Sequence, residues 1–255
     1  AARASQFHRL PHHPDQVLGL GHLGQHAAEA NPEDASPWES MAKVFLLLQR
    51  PDAAARAWEA ALQRRPSHVS YAIELAVSLA ALRRHDEALG LLEQVTDADP
   101  ENVQAWTQMG IVFFLRQDYG LAKERFRYAL SLAPEHENAR YHLALTHLYS
   151  GKQDQAMEEL SRIVKYHPEN VKARTDLAVL TLAVGRPADA LTLLEVGLET
   201  TKNGYSKARY YKALTLCELG RPHEARPILD DLVAGNDQEY KEQSRLLLAK
   251  IGNGG

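Results

Sequence analysis

Few residues in this 255-residue chain stand at spacings that could support chemistry. Gly19-Leu-Gly-His-Leu-Gly24 matches the glycine string that cradles a dinucleotide pyrophosphate. That cradle needs a strand leading in and a helix N-terminus beyond. Here Pro11, Pro14 and Asp15 precede the string and no β-branched run delivers it, so no cofactor is expected. His22 and His26 lie one helical turn apart, with His8, His12 and His13 nearby. Such a pair supplies two metal ligands, and nothing in the spacing supplies the third and fourth, so no metal is expected either. Cys217, the single cysteine, and the serines lack a neighbouring base that would activate them. The expectation is a protein that is not an enzyme.

Composition narrows the class further. A hydrophobic fraction of 45% supports a packed core, and a charged fraction of 24% argues against a disordered chain. A formal net charge of -4 offers no footprint for nucleic acid, and no polybasic stretch suits anionic lipid. One cysteine permits no internal disulfide, which favours a reducing compartment. No apolar run approaches the ~20 residues that span a bilayer, so direct membrane insertion is not expected. A soluble chain is expected, in the cytoplasm, or in the periplasm if an N-terminal signal or anchor has been removed.

The elements that position everything else follow from an internal repeat. Pro100-Glu-Asn-Val-Gln-Ala-Trp106 recurs as Pro168-Glu-Asn-Val-Lys-Ala-Arg174, two periods of 34 residues later. On that period small residues align at Ala42, Ala76, Gly110, Ala144, Ala178 and Ala213, where two helices must approach closely. A second small series runs Ala54, Ala88, Ala122, Ala156, Ala190 and Ala225, each followed four residues on by Trp58, Leu92, Phe126, Leu160, Leu194 and Leu229. Pro32, Pro66, Pro100, Pro134 and Pro168 end the units, because proline cannot continue a preceding helix. Each unit therefore reads as two antiparallel helices.

These positions resemble the tetratricopeptide repeat (TPR) consensus. Trp38, Met41, Ala42, Phe45, Ala54, Trp58, Ala61 and Pro66 fill it in one unit, and Trp106, Met109, Gly110, Phe113, Ala122, Phe126, Ala129 and Pro134 in another. The resemblance implies an all-α, right-handed superhelical solenoid with units at 35–68, 69–102, 103–136, 137–170, 171–204 and 206–237. Residues 1–34 are expected to hold a degenerate half repeat and 238–255 a capping helix with a frayed tail from Gly252. Lys202 replaces the expected proline, one extra residue at Asn203-Gly204 suggests a loosened junction, and Lys212 stands where an apolar residue belongs. The run Asn31 to Trp38 also looks like repeat starts in bacterial cytochrome c assembly factors.

The resemblance further implies that the first helix of each unit lines a concave groove. Its stripe reads Ile73, Val77, Ala81, then Thr107, Ile111, Leu115, then Tyr141, Leu145, Tyr149, then Thr175, Val179, Ala183, then Tyr210, Leu214, Glu218. Glu74, Gln108, His142, Asp176 and Tyr211 add polar groups along the same wall. So apolar a strip, rimmed by polar residues, suits an amphipathic helix or an extended segment with apolar anchors. The family's carboxylate clamp is not expected, because Glu39, Lys43, Glu74, Lys172 and Asp176 are the wrong combination. Arg140, Arg174 and Arg209 share one register and are expected to lay their stems on the core with the charge in water. The function expected is an adaptor, scaffold or chaperone-like holder of a protein or peptide partner. The alternatives are a self-assembling homo-oligomer or complex-assembly subunit, and a regulatory domain of a larger enzyme.

Overall fold

A computed structural model describes residues 33–252 except Asn203. The glycine string, the histidine pair and the degenerate half repeat of 1–32, and the last three residues of the tail, lie outside the described residues. Thirteen α-helices and no strand occur among those described: α1 Ser36–Leu47, α2 Pro51–Arg64, α3 Val69–Ala81, α4 His85–Ala98, α5 Val103–Leu115, α6 Tyr119–Leu132, α7 Glu137–Tyr149, α8 Gln153–Tyr166, α9 Val171–Ala183, α10 Pro187–Thr200, α11 Ser206–Glu218, α12 Pro222–Ala234 and α13 Gln238–Gly252. They form two compact units that divide between Asp118 and Tyr119.

Burial repeats with the sequence period. Ala42, Ala54, Ala76 and Ala88 in the first unit, and Ala122, Ala178, Ala190, Ala213 and Ala225 in the second, are wholly enclosed. Alanine there lets neighbouring helix backbones close up without a void. The bulky partners Trp58, Leu92, Phe126, Leu160, Leu194 and Leu229 fill the spaces between helices. In the first unit α3 packs on α2, α4 and α5. In the second, α7 packs on α6 and α8, α9 on α8, α10 and α11, and α11 on α10, α12 and α13.

Local chemistry sets the ends of the helices on the same period. Side chains of Asn102, His136 and Asn170 accept hydrogen bonds from the backbone N–H groups of Ala105, Ala139 and Ala173, satisfying donors that the first helical turn leaves open. Each first helix ends on a left-handed residue: Gln49, Arg83, Gln117, Gly151, Gly185 and Gly220, with φ between 56° and 76°. The connection from α10 to α11 is one residue longer than those from α6 to α7 and α8 to α9. Lys212 keeps its charge satisfied by pairing with Glu195 at 3.1 Å. The terminal α13 lies against α11 and α12, with Leu247 in their shared core.

Candidate functional site

In the second unit α7 and α9 pack less closely than α9 and α11 do. The space between them is a cavity of about 500 Å³. Its walls are Tyr141, Leu145, Leu148 and Tyr149 from α7, and Asp176, Val179 and Leu180 from α9. Ala144, Ala156 and Leu160 form the floor, and Lys207 of α11 closes one side. Tyr149 marks the open end, 64% exposed, with its ring 6.3 Å from that of Tyr119.

One polar network crosses this otherwise apolar site. The Tyr141 phenol donates to Asp176 Oδ2 at 2.6 Å, and Lys207 Nζ donates to Asp176 Oδ1 at 2.5 Å. Lys172 Nζ lies 4.3 Å from the centre of the Tyr141 ring, a cation over a π face. Burial, with the hydrogen bond to Asp176 behind it, pushes the Tyr141 hydroxyl well above the usual phenol range, so it stays a donor. For Lys207, burial opposes the charge, but the bond to Asp176 more than offsets it and the net shift is upward. The site thus presents an apolar trough with one fixed, charged edge.

The expected groove residues divide into three groups. Tyr141, Leu145, Tyr149, Asp176 and Val179 line the same cavity between α7 and α9. Val77, Gln108 and Ile111, in the first unit, are half-buried, and Leu115 is 44% exposed. The rest are corrections. Ile73 and Thr107 are each 1% exposed and belong to the core. Their register faces neighbouring helices, and the Thr107 hydroxyl is spent on the Val103 carbonyl at 2.7 Å. Thr175 repeats that arrangement with Val171. His142 lies outside the cavity, stacked 5.9 Å from the Phe126 ring. Burial, then Lys172, drives its pKa down to about 4, so it is neutral at ordinary pH. Tyr210 and Leu214 pack on the core that α13 completes, with the Tyr240 ring 5.7 Å from Tyr210.

Leu148, Leu180 and Lys207 are site residues that the stripe did not contain. Lys207 starts the next first helix, 31 residues after Asp176, and a charge pair spaced by nearly one period was the available signal. The arginine register has a role beyond a solvated charge. Trp106 Nε1 donates to the Pro100 carbonyl at 2.8 Å, Arg174 to the Pro168 carbonyl at 2.8 Å, and Arg140 to the Pro134 carbonyl. In α5, α7 and α9 this one register position ties the helix to the turn six residues before it. Arg209, after the turn lacking proline, pairs with Asp231 instead. Glu39, a clamp position, pairs with Lys43 at 2.6 Å and accepts from Tyr71 at 2.7 Å.

Among the described residues no helix is long and apolar enough to cross a membrane. A family model described as the cytochrome c-type biogenesis protein H TPR domain matches residues 25–141. A second tetratricopeptide repeat model matches residues 147–204. The uncharacterized protein y4yS of Sinorhizobium fredii is 32% identical over 111 residues, covering 44% of this chain and 61% of that protein. Anaphase-promoting complex subunit 3 of Schizosaccharomyces pombe is 27% identical over 152 residues, 60% of this chain and 23% of the relative. The chain thus spans less than two thirds of either relative. The solved structure of Pseudomonas aeruginosa PilF shares the fold with a TM-score of 0.65 at 15% identity, over 83% of this chain and 96% of that one. Such repeats are interaction and scaffold modules, typically without catalysis. With both family models falling on the helix pairs described above, the chain belongs to the tetratricopeptide repeat family.

Proposed function

We propose that this protein holds an apolar or amphipathic segment of a partner polypeptide in the trough between α7 and α9. The observation that carries this reading is the cavity itself, whose exposed walls are aliphatic and aromatic while its one polar network is internally satisfied. Leu145, Leu148, Val179 and Leu180 offer apolar surface to the anchors of such a segment, and the hydrophobic gain scales with the area removed from water. Asp176, Lys172 and Lys207 at the edge give the segment a direction, because a charged flank meets fixed partners on one side only.

The test begins with peptides selected from a random library against the wild-type chain. Their affinity is then measured for Leu145→Asp combined with Val179→Asp. Binding falls at least a hundredfold while the circular-dichroism spectrum stays helical. Unchanged affinity of every selected peptide for the double variant moves the binding surface elsewhere.

A further inference from the structure

A second cavity, of about 420 Å³, lies in the same unit and shares no lining residue with the trough. Three helices build it. Arg127, Leu130 and Ser131 come from α6, Arg140, Leu143 and His147 from α7, and Gln155, Glu158, Glu159 and Arg162 from α8. Where the trough is apolar, this cavity is walled by charged and hydrogen-bonding groups.

Most of those charges are already spent on one another. Arg140 pairs with Glu159 at 2.7 Å, Arg162 pairs with Glu158 at 2.6 Å, and Glu159 accepts Arg162 as well at 3.4 Å. Two groups are left over. Among the described residues, neither the Arg127 guanidinium nor the His147 imidazole has a hydrogen bond or ion pair. Arg127 is exposed, but His147 is 4% exposed and still lines the cavity. The His147 ring nitrogens keep a little contact with solvent, and the ring lines the polar cavity, so its imidazole can offer an N–H to a ligand there.

We propose that this cavity binds an acidic side chain of a protein partner, the carboxylate taken by Arg127 and the His147 N–H. A carboxylate suits the site better than a phosphate. One uncommitted guanidinium and one imidazole N–H match a monoanion, whereas a dianion meets the Glu158 and Glu159 wall. Ser131 and Gln155 at the same cavity offer hydrogen bonds to the flanking peptide backbone.

The electrostatics around His147 agree. Burial, then Arg127, keeps the imidazole below its ordinary pKa; Lys123 and Lys152 add to that, and Glu159 opposes it. With Arg140 on its own helix and Glu158 and Arg162 paired on α8, Arg127 is the uncommitted charge lining the cavity. A carboxylate bound there offsets Arg127 and stabilises the imidazolium, so occupancy raises the His147 titration midpoint.

The experiment follows the His147 ring protons by NMR while a glutamate-rich decapeptide is added to the full chain. Its glutamine counterpart and inorganic phosphate serve as the other arms. The glutamate peptide produces a saturable shift at His147 and a higher titration midpoint. Arg127→Glu weakens that binding at least tenfold, whereas Arg226→Glu, the same charge change at an exposed site on α12, does not. The proposal fails if His147 does not respond, if the glutamine peptide shifts it equally, or if both charge variants weaken binding alike. A response to phosphate with none to the glutamate peptide overturns the carboxylate assignment.

Discussion

The Tyr141 hydroxyl donates to Asp176 at 2.6 Å, tying α7 to α9 across the cavity that separates them. Lys207 approaches the same carboxylate from α11, so three successive first helices meet at one side chain. Asp176→Ala therefore strands a half-buried ammonium and a half-buried phenol together. The expected loss is about 2 kcal/mol, against about 1 kcal/mol for Tyr141→Phe, which leaves the ion pair intact. Urea melts of both single variants and the double variant check this, with a coupling of roughly 0.5 kcal/mol or more between the sites. Strict additivity contradicts the shared network.

Six first helices end on a left-handed residue, and three of those are Gln49, Arg83 and Gln117 rather than glycine. A side chain in that conformation carries a steric cost that glycine lacks. Arg83→Gly and Gln117→Gly should each stabilise the protein by about 0.5–1 kcal/mol, while Gly185→Ala destabilises it by a similar amount. No heavy atom lies near a β-carbon built on Gly185, so the loss there is one of backbone conformation alone. Thermal unfolding of the three variants decides the matter. A lower midpoint for both glycine variants would refute it.

Acid should weaken the fold through three buried or half-buried histidines. His142, at about 4, and His136 and His147 are all depressed by burial, so the unfolded chain binds protons that the folded chain refuses. Their contribution is complete above pH ~6.5 and is lost as pH falls toward 4, by roughly 3 kcal/mol for His142 alone. His136 is the informative variant, because its Nδ1 caps α7 at 3.2 Å in the register where Asn102 and Asn170 do the same. His136→Asn keeps the cap and removes the titration. Its stability should match wild type at pH 7.5 and exceed it at pH 5 in denaturant melts. A pH profile identical to wild type would contradict the assignment.

The helix pairs were legible because every unit must bury the same small and bulky residues, and a 34-residue period of alanines has no other simple cause. The trough was legible in part. Leu145, Val179 and Tyr149 follow from the stripe, but Ile73 and Thr107 share a register with Tyr141 and lie in the core. Residue type decides between the outcomes. Isoleucine and threonine fit between the helices, whereas the longer tyrosine reaches across to a partner on the next repeat. The second cavity was illegible, since its lining comes from three helices whose charges are ordinary one at a time. The arginine register was misjudged for a related reason: Arg140 and Arg174 bond to backbone carbonyls, which sequence pattern does not display. Arg174→Ala should accordingly cost about 1–3 kcal/mol by thermal melting, although among the described residues no acidic side chain pairs with it. A loss below ~0.3 kcal/mol would return it to the role of a solvated charge.

On the function proposed above, the α7–α9 trough receives a partner segment. A crystal structure of the chain with a library-selected peptide tests it most directly. Peptide density should lie over Leu145 and Val179, with a charged flank beside Asp176 and Lys207. Peptide density on another face, with the trough filled by solvent, would contradict it.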